Sequence, residues 1–488
     1  MKNTTLFLPG FHLATLRRKP RSASRLLAEQ LTKIRRNSIS QLAKCFTDLI
    51  PTQSIQPHQS GAQSRRRIFS KENTFWGFFS QVLNADGGCA EVVRKFHAVA
   101  ASRNRSLPSS STSAYCQARS KLDESDLVSI QVHTSNQLTQ RDTDHLFQGR
   151  RVVVADGTGI SMPDTPENQK VWPQGRGQKP GCGFPQAYIC ACFSLYTGGL
   201  LSYALGNKKS HELLMLREQW GTFNAGDIFL GDKGFCSFYD VFKLRGKGVD
   251  SVITLARRKP VTAKDAEKIL GEDDFLIHWP KPKWTRRSSY SKDEWMALPD
   301  QLVLRQIKVT VTEPGFRTQS FHIITTLVDA DIYSAREIAG LYYQRWDIEL
   351  FFRDIKITMG MDILRCKSPD MIRKKLLMHF IVYNCLRLLM LKAAKKAGVP
   401  VRLISFKASV QALRQWEPLL NSELSTQEET RLLSLLSDSI AASVLHIRPG
   451  RREPRCKKRR PKNFQRMTKP RHEMQEALHR SAYRAEGA

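Results

Sequence analysis

The chain holds few cysteines, 10 in 488 residues, and no two of them form a CxxC pair. That density excludes a disulfide-stapled scaffold and suits a reducing compartment. Long apolar runs are also missing. The most apolar stretch, Leu376 to Leu391, is interrupted by His379, Asn384 and Arg387. A membrane-spanning helix rarely holds three such groups, so a buried helix is expected here. Residues 1–24 have no continuous apolar core and no small-residue cleavage site, so no secretory signal is expected. No internal repeat is visible. These absences predict a soluble intracellular protein with no membrane partner.

Acidic residues are scarce beside basic ones, 45 against 77, which leaves a net charge of +32. The excess is uneven. Residues 1–105 carry 18 Lys and Arg against 5 Asp and Glu, and residues 448–488 carry 14 against 4. Two basic ends around a nearly balanced centre predict a core flanked by surfaces for a polyanion, most simply nucleic acid. With 41% hydrophobic residues the chain can bury a sizeable core, and its length leaves room for two or three domains of roughly 100–200 residues each.

Residues 21–50 place Leu27, Leu31, Ile34, Leu42, Phe46 and Leu49 at helical spacing. A Pro, Ser and Gln stretch from Pro51 to Ser64 reads as a linker. Helical patterns resume at Phe75–Leu83, Val92–Val99, Ala114–Leu122 and Leu127–Leu138, so residues 1–145 are expected to be all-helical and basic. At Arg151 the pattern changes. Strands are expected at Val152–Asp156, Ala187–Phe193, Leu200–Leu205, Asp227–Asp232 and Val249–Leu255, with helices at His211–Trp220 and Phe238–Leu244. Residues 257–320 form a basic, Trp-rich insertion with one clear strand, Leu302–Val311, before the core resumes at Phe321–Leu327. Two long helices, about Ser334–Met359 and Pro369–Ala397, lead into a weaker helical stretch over 402–445 and a basic tail. The fold class expected is α/β, a mixed sheet covered by helices. The divisions are 1–145, a core over 146–400 containing the 257–320 insertion, a helical region over 401–447, and the tail 448–488.

Two of these strands end in a carboxylate, Asp156 and Asp232. A strand end lies at the sheet's rim, where loops and ligands meet, although a lone Asp there is ordinarily a turn or cap. The helix after Ser334 adds Tyr342, Arg345, Glu349 and Lys356. At about 100° per residue these four fall within roughly 60° of one another, with Ile348, Phe351 and Ile355 on the opposing, buried side. Ordinary ion pairs on a solvated face would look the same taken alone. Three carboxylates on one surface, however, can hold a pair of divalent cations, and oxygen-only donors favour Mg²⁺ or Mn²⁺. Arg345 and Lys356 would then grip the phosphates of a strand passing Glu349.

The spacing Tyr342-x₂-Arg345-x₃-Glu349-x₆-Lys356 resembles the Tyr-Arg-Glu-Lys signature of bacterial DDE transposases of insertion sequence family four. The resemblance extends to Asp156-Gly-Thr, to Asp232-x-Gly-Phe and to the insertion between the second Asp and the Glu, and covers about residues 150–395. It implies an RNase H-like core with Asp156, Asp232 and Glu349 as the metal-binding catalytic triad. Tyr342, Arg345 and Lys356 would contact DNA near the element's end. The implied activity is cut-and-paste DNA transposition with Mg²⁺ or Mn²⁺. The implied partners are the terminal inverted repeats, target DNA and a second copy of the chain on paired ends. The implied location is the bacterial cytoplasm, at the nucleoid when bound to DNA. Residues 1–145 resemble the family's end-binding domain in character, without a motif. Some relatives stack a flipped base on a Trp of the insertion. Trp279, Trp284 and Trp295 are candidates here, each better explained singly by packing the insertion's own core. A catalytically inactive DNA-binding derivative and a structure-specific nuclease are the alternatives.

Other signals weigh less. Gly175–Gly183 lacks the order of a phosphate-binding loop and precedes a strand, so it is expected to be a basic loop near the site. Cys182, Cys190 and Cys192 do not make a zinc motif, because Cys190 and Cys192 share one face of an apolar strand. Arg448–Arg471 holds 12 Lys or Arg in 24 residues and should bind DNA backbone without sequence preference. Arg17-Arg18-Lys19 and Arg65-Arg66-Arg67 read the same way.

Overall fold

A computed structural model describes residues 45–446, except 47–48, 58–67, 85, 142–145, 176, 257–258, 287–288, 312–318 and 421–423, and also residues 466–474. The helical spacing at Leu27–Leu42, both basic triplets and most of the basic tail lie outside the described residues.

The helices are α1 Thr52–Ile55, α2 Lys71–Leu83, α3 Cys89–Ser102, α4 Ser113–Ser120, α5 Glu124–Gln140, α6 Pro166–Val171, α7 Glu212–Arg217, α8 Phe238–Gly246, α9 Lys292–Met296, α10 Ala335–Tyr343, α11 Asp347–Arg353, α12 Pro369–Ala397, α13 Phe406–Leu420 and α14 Thr426–Ala441. The strands are β1 Val152–Ser161, β2 Gln186–Ser194, β3 Leu200–Asn207, β4 Ile228–Gly231, β5 Asp250–Thr254, β6 Lys268–Gly271, β7 Asp274–Pro280, β8 Gln301–Val311 and β9 Gln319–Thr325. The fold is thus a mixed α/β one, as expected. The linker reading of Pro51–Ser64 missed the turn of α1, whose Ile55 is buried.

All nine strands join one sheet in the order β3-β2-β1-β4-β5-β9-β8-β7-β6. β1 runs antiparallel to β2 and parallel to β4, and β4 runs parallel to β5. Strands in the middle of a sheet covered on both sides read as continuous apolar runs, because each successive side chain enters a different core. In β1, Val152, Val154 and Ile160 enter the core built with α2, α5, α11 and α12, while Val153 and Ala155 join Cys190 and Cys192 in the core under α7, α8 and α9. Each such fully buried aliphatic side chain contributes about 1.5–3 kcal/mol. The 257–320 segment is not an appendage to this sheet. It supplies β6, β7 and β8, and β8 pairs with β9 so that the sheet continues through it. Trp279 and Trp295 are buried there around Phe238, and Trp284 packs against the same cluster.

The core on the α12 side is continuous with Phe46, Phe75, Phe79 and Leu127 of the N-terminal helices. Glu417 on α13 adds a polar tie: it accepts from Ser80 at 2.9 Å and pairs with Lys95 at 2.6 Å. Among the described residues α12 is the helix long and apolar enough to cross a membrane, yet most of it is buried inside the protein. The groups that argued against a span are used internally. Asn384 bonds both the amide and the carbonyl of Leu200, and Arg387 Nε donates to the Thr197 carbonyl.

Candidate active site

Of the two carboxylates expected at strand ends, Asp232 directly follows β4, whereas Asp156 lies within β1. That strand continues to Ser161 because its pairing with β2 runs on past the short β4. The two carboxylates come near each other because β1 and β4 are parallel neighbours. Their register ends at Val154 with Leu230, and just beyond it Asp156 and Asp232 are near enough for the charge of Asp232 to act on Asp156. Each carboxylate is held by a backbone amide that follows it, within β1 for Asp156 and in a 3₁₀ turn for Asp232. Asp156 Oδ1 accepts from the Gly157 amide at 2.7 Å, and Asp232 Oδ1 accepts from the Gly234 amide at 2.7 Å. Burial pushes the Asp156 carboxyl up to about 6 against the pull of the Gly157 amide, and the negative charges of Asp232 and Glu212 push the same way.

The segment carrying the remaining candidates is not the uniform helix that a 100° rotation assumes. A capping box of Ser334 and Glu337 starts α10. The chain then tightens into a 3₁₀ turn over Gln344–Trp346, returns to α-helix in α11, and widens into a π turn over Asp354–Thr358. Changes of winding within a helix are common at functional sites. Here they distribute the predicted stripe over different depths. Tyr342 and Arg345 are 6% and 7% exposed, whereas Glu349 is exposed. Ile348, Phe351 and Ile355 are buried, as expected, and seat α11 on β1.

Each side chain has a definite place. The Tyr342 hydroxyl shares a hydrogen bond with Thr254 Oγ1 at the end of β5. Arg345 lies over the Trp346 ring at 4.6 Å, its charge acts on Asp156, and its Nε has no hydrogen-bond partner among the described residues. Lys356 donates to Thr158 on β1 at 3.1 Å and pairs with Asp362 at 3.1 Å. The fold therefore gathers Asp156, Asp232 and Arg345 and brings Lys356 to the same strand. Among the described residues no three His, Cys, Asp or Glu side chains surround one point closely enough to hold a metal ion, so Glu349 does not close a ligand set with the two aspartates in this conformation.

Sequence reasoning missed Glu212 and Tyr188. Glu212 stands in the first turn of α7, where an acidic residue is favoured for reasons unrelated to chemistry, so nothing singled it out. The Tyr188 hydroxyl donates to Glu212 Oε1. Both line a cleft of about 1000 Å³ beside the aspartates, together with Lys208, His211, Lys233 and Gly234. The Gly175–Gly183 loop begins against Lys208. Cys190 and Cys192 point into the core beneath, where burial raises both thiols.

Two neighbouring carboxylates on adjacent parallel strands, one within β1 and one just past β4, with a buried guanidinium beside them, suit an enzyme that works on phosphodiesters. Residues 147–385 match the family described as the transposase DDE domain, and the chain belongs to the DDE transposases, enzymes that cut and join DNA strands. Within them it falls in the group of insertion sequence IS4. Over 406 residues, 81% of this chain and 87% of the relative, it is 27% identical to the transposase InsG for insertion sequence element IS4 of Escherichia coli (strain K12). A stretch of 140 residues, 28% of this chain and 36% of the relative, is 33% identical to a probable transposase for insertion sequence element IS5377 of Geobacillus stearothermophilus. Among solved structures, the piggyBac transposase synaptic complex with hairpin DNA covers 86% of this chain and 88% of its own, at 12% identity and a TM-score of 0.44.

Proposed function

We propose that this DNA transposase moves its own insertion sequence by cut-and-paste, with Asp156, Asp232 and Glu349 as the catalytic triad. The observation that carries the reading is the proximity of Asp156 on β1 to Asp232, which follows the neighbouring parallel strand β4, with α11, the helix that bears Glu349, packed against β1. The strand order β3-β2-β1-β4-β5, three antiparallel strands followed by two parallel ones, supports an RNase H-like core.

The donor set fits a hard divalent cation. It offers carboxylate oxygens alone, and two of them already crowd negative charge where burial makes an unneutralised pair unfavourable. Asp156 and Asp232 would hold Mg²⁺ or Mn²⁺, with Glu349 contributed by α11. When bound, such ions neutralise charge on a scissile phosphate and ease ionisation of the attacking hydroxyl. The chain's own groups do the positioning. Arg345, buried and without a hydrogen-bonded partner at Nε, has capacity to donate to a phosphate oxygen. Lys356 sits on the Thr158 side of Asp156 and serves as a second cation along the same strand. Tyr342, tied to Thr254, fixes the start of the turn that carries Arg345. Residues 1–145 would bind the terminal inverted repeats, and two copies of the chain would act on paired ends in the bacterial cytoplasm.

The test is incubation of the full chain with labelled DNA bearing the element's end, in Mg²⁺ or in EDTA. Metal-dependent nicking at the end, followed by joining to a second DNA, is expected. Glu349→Gln should keep DNA binding and abolish cleavage, and cleavage by this variant at the wild-type rate removes Glu349 from the triad.

A further inference from the structure

We infer that Glu212, held by Tyr188, is a positioning residue that braces the stretch of β1 at Asp156 and the turn at Asp232 against each other. The inference rests on the reading of Asp156 and Asp232 as catalytic, and it concerns a residue on the opposite side of the sheet's rim from Glu349. Three independent features of the geometry converge on this one carboxylate.

The first is the pair of glycines that follow the aspartates. A Cβ built on Gly157 would collide with Glu212 Oε1 and the Tyr188 hydroxyl. A Cβ on Gly234 would come within 3.3 Å of Glu212 Oε2. One oxygen therefore abuts β1 just after Asp156 and the other abuts the turn after Asp232. At Gly157 this carboxylate occupies the space a side chain would fill, while at Gly234 a Cβ would meet Asp232 Oδ1 first, at 2.9 Å, with Glu212 Oε2 next. The second feature is that these glycines are the groups whose amides hold Asp156 Oδ1 and Asp232 Oδ1. Pressure on either segment is therefore passed directly to the aim of a catalytic carboxylate. The third is that Glu212 is not free to rotate into solvent. Tyr188 on β2 donates to it, and α7, whose Met215 and Leu216 are buried, anchors its backbone.

A glutamate serving only the start of α7 would gain as much by pointing outward, where its charge would not act on Asp156. Here it is turned inward, between two other carboxylates, and the arrangement is held by a hydrogen bond. Outer-shell partners that orient ligating carboxylates typically change metal affinity or activity about 10- to 100-fold when removed. Displacing a catalytic group by an ångström has an effect of similar size.

The experiment compares the full chain with Glu212→Ala, Glu212→Gln and Asp156→Asn. Three quantities are read: single-turnover cleavage of end DNA, DNA affinity in EDTA, and the Mn²⁺ concentration that half-saturates the thermal shift of the protein without DNA. Glu212→Ala is expected to cleave about 10- to 100-fold more slowly and to need more Mn²⁺. Its DNA affinity and its melting temperature in EDTA should match those of the parent. Glu212→Gln keeps the length of the side chain and an oxygen for the Tyr188 hydroxyl, so it should recover most of the cleavage and the Mn²⁺ response. Wild-type cleavage and Mn²⁺ response in Glu212→Ala would overturn the inference. So would a Gln variant as impaired as the Ala variant, since the charge itself would then be what matters. Undiminished cleavage by Asp156→Asn would instead refute the reading of the aspartates, which keeps the two failures apart.

Discussion

Replacing Asp156 by Asn is expected to make the folded protein more stable at pH 8 and to leave it unchanged near pH 4. Burial raises the Asp156 carboxyl from 3.8 to about 6, with Asp232 and Glu212 adding to the effect of burial and the Gly157 amide and Arg345 opposing it. A folded-state value above the unfolded one means that the folded chain holds the proton more tightly. The contribution to stability is then fully present below about pH 3.8 and is lost as the pH climbs through about 6. A rise of about two units at 1.36 kcal/mol each sets a ceiling of about 3 kcal/mol. Because Asp156 is only partly buried, solvent screening brings the expected gain to about 1–2 kcal/mol. Asn keeps the shape and can still accept from the Gly157 amide, so loss of charge is the principal change. Urea unfolding in EDTA, followed by tryptophan fluorescence at pH 4, 6 and 8, measures the difference in midpoint between variant and parent. A difference that is the same at pH 4 and pH 8, or a variant weaker at pH 8, refutes the reasoning. A gain in stability joined to loss of cleavage marks a carboxylate retained for its charge at a cost to the fold.

Glu417→Ala leaves Lys95 and Ser80 without their shared buried acceptor. It should destabilise the protein by about 3 kcal/mol, the low end for a broken buried pair because Lys95 is partly exposed, read as a fall in the urea midpoint. Arg345→Ala should weaken binding of end DNA and lower the slope of log affinity against log salt by about 1, as loss of one phosphate contact does; an unchanged slope in a salt titration would remove Arg345 from the DNA path.

Much of the architecture was legible because burial leaves a period in the sequence. Val152 to Ala155 is apolar at every position since both faces of β1 are covered there, but the polar Asp156 does not end the strand, which runs on to Ser161 because β2 pairs with it throughout. Pro369–Ala397 is recognisable from its length, and the polar groups His379, Asn384 and Arg387 within it mark a helix buried in protein, where Asn384 and Arg387 bond neighbouring backbone. Pairing is a different matter. Nothing local in Lys268–Gly271 or Asp274–Pro280 says that these strands extend the central sheet, because that depends on β8 finding β9 at the far side of the insertion.

The site shows the same division in sharper form. Spacing alone brought Tyr342, Arg345, Glu349 and Lys356 together, but it assumed a constant rotation per residue. The 3₁₀ turn at Gln344–Trp346 and the π turn at Asp354–Thr358 break that assumption in opposite senses. The over-wound turn lets Arg345 sink towards Asp156, while Glu349 remains on the outer surface of α11. A helix of uniform pitch would have kept the guanidinium and the carboxylate at equal depth, one turn apart and free to pair with each other. The change of winding separates them. The arginine is left without a hydrogen-bond partner at Nε among the described residues, beside Asp156, and the glutamate is left exposed on α11.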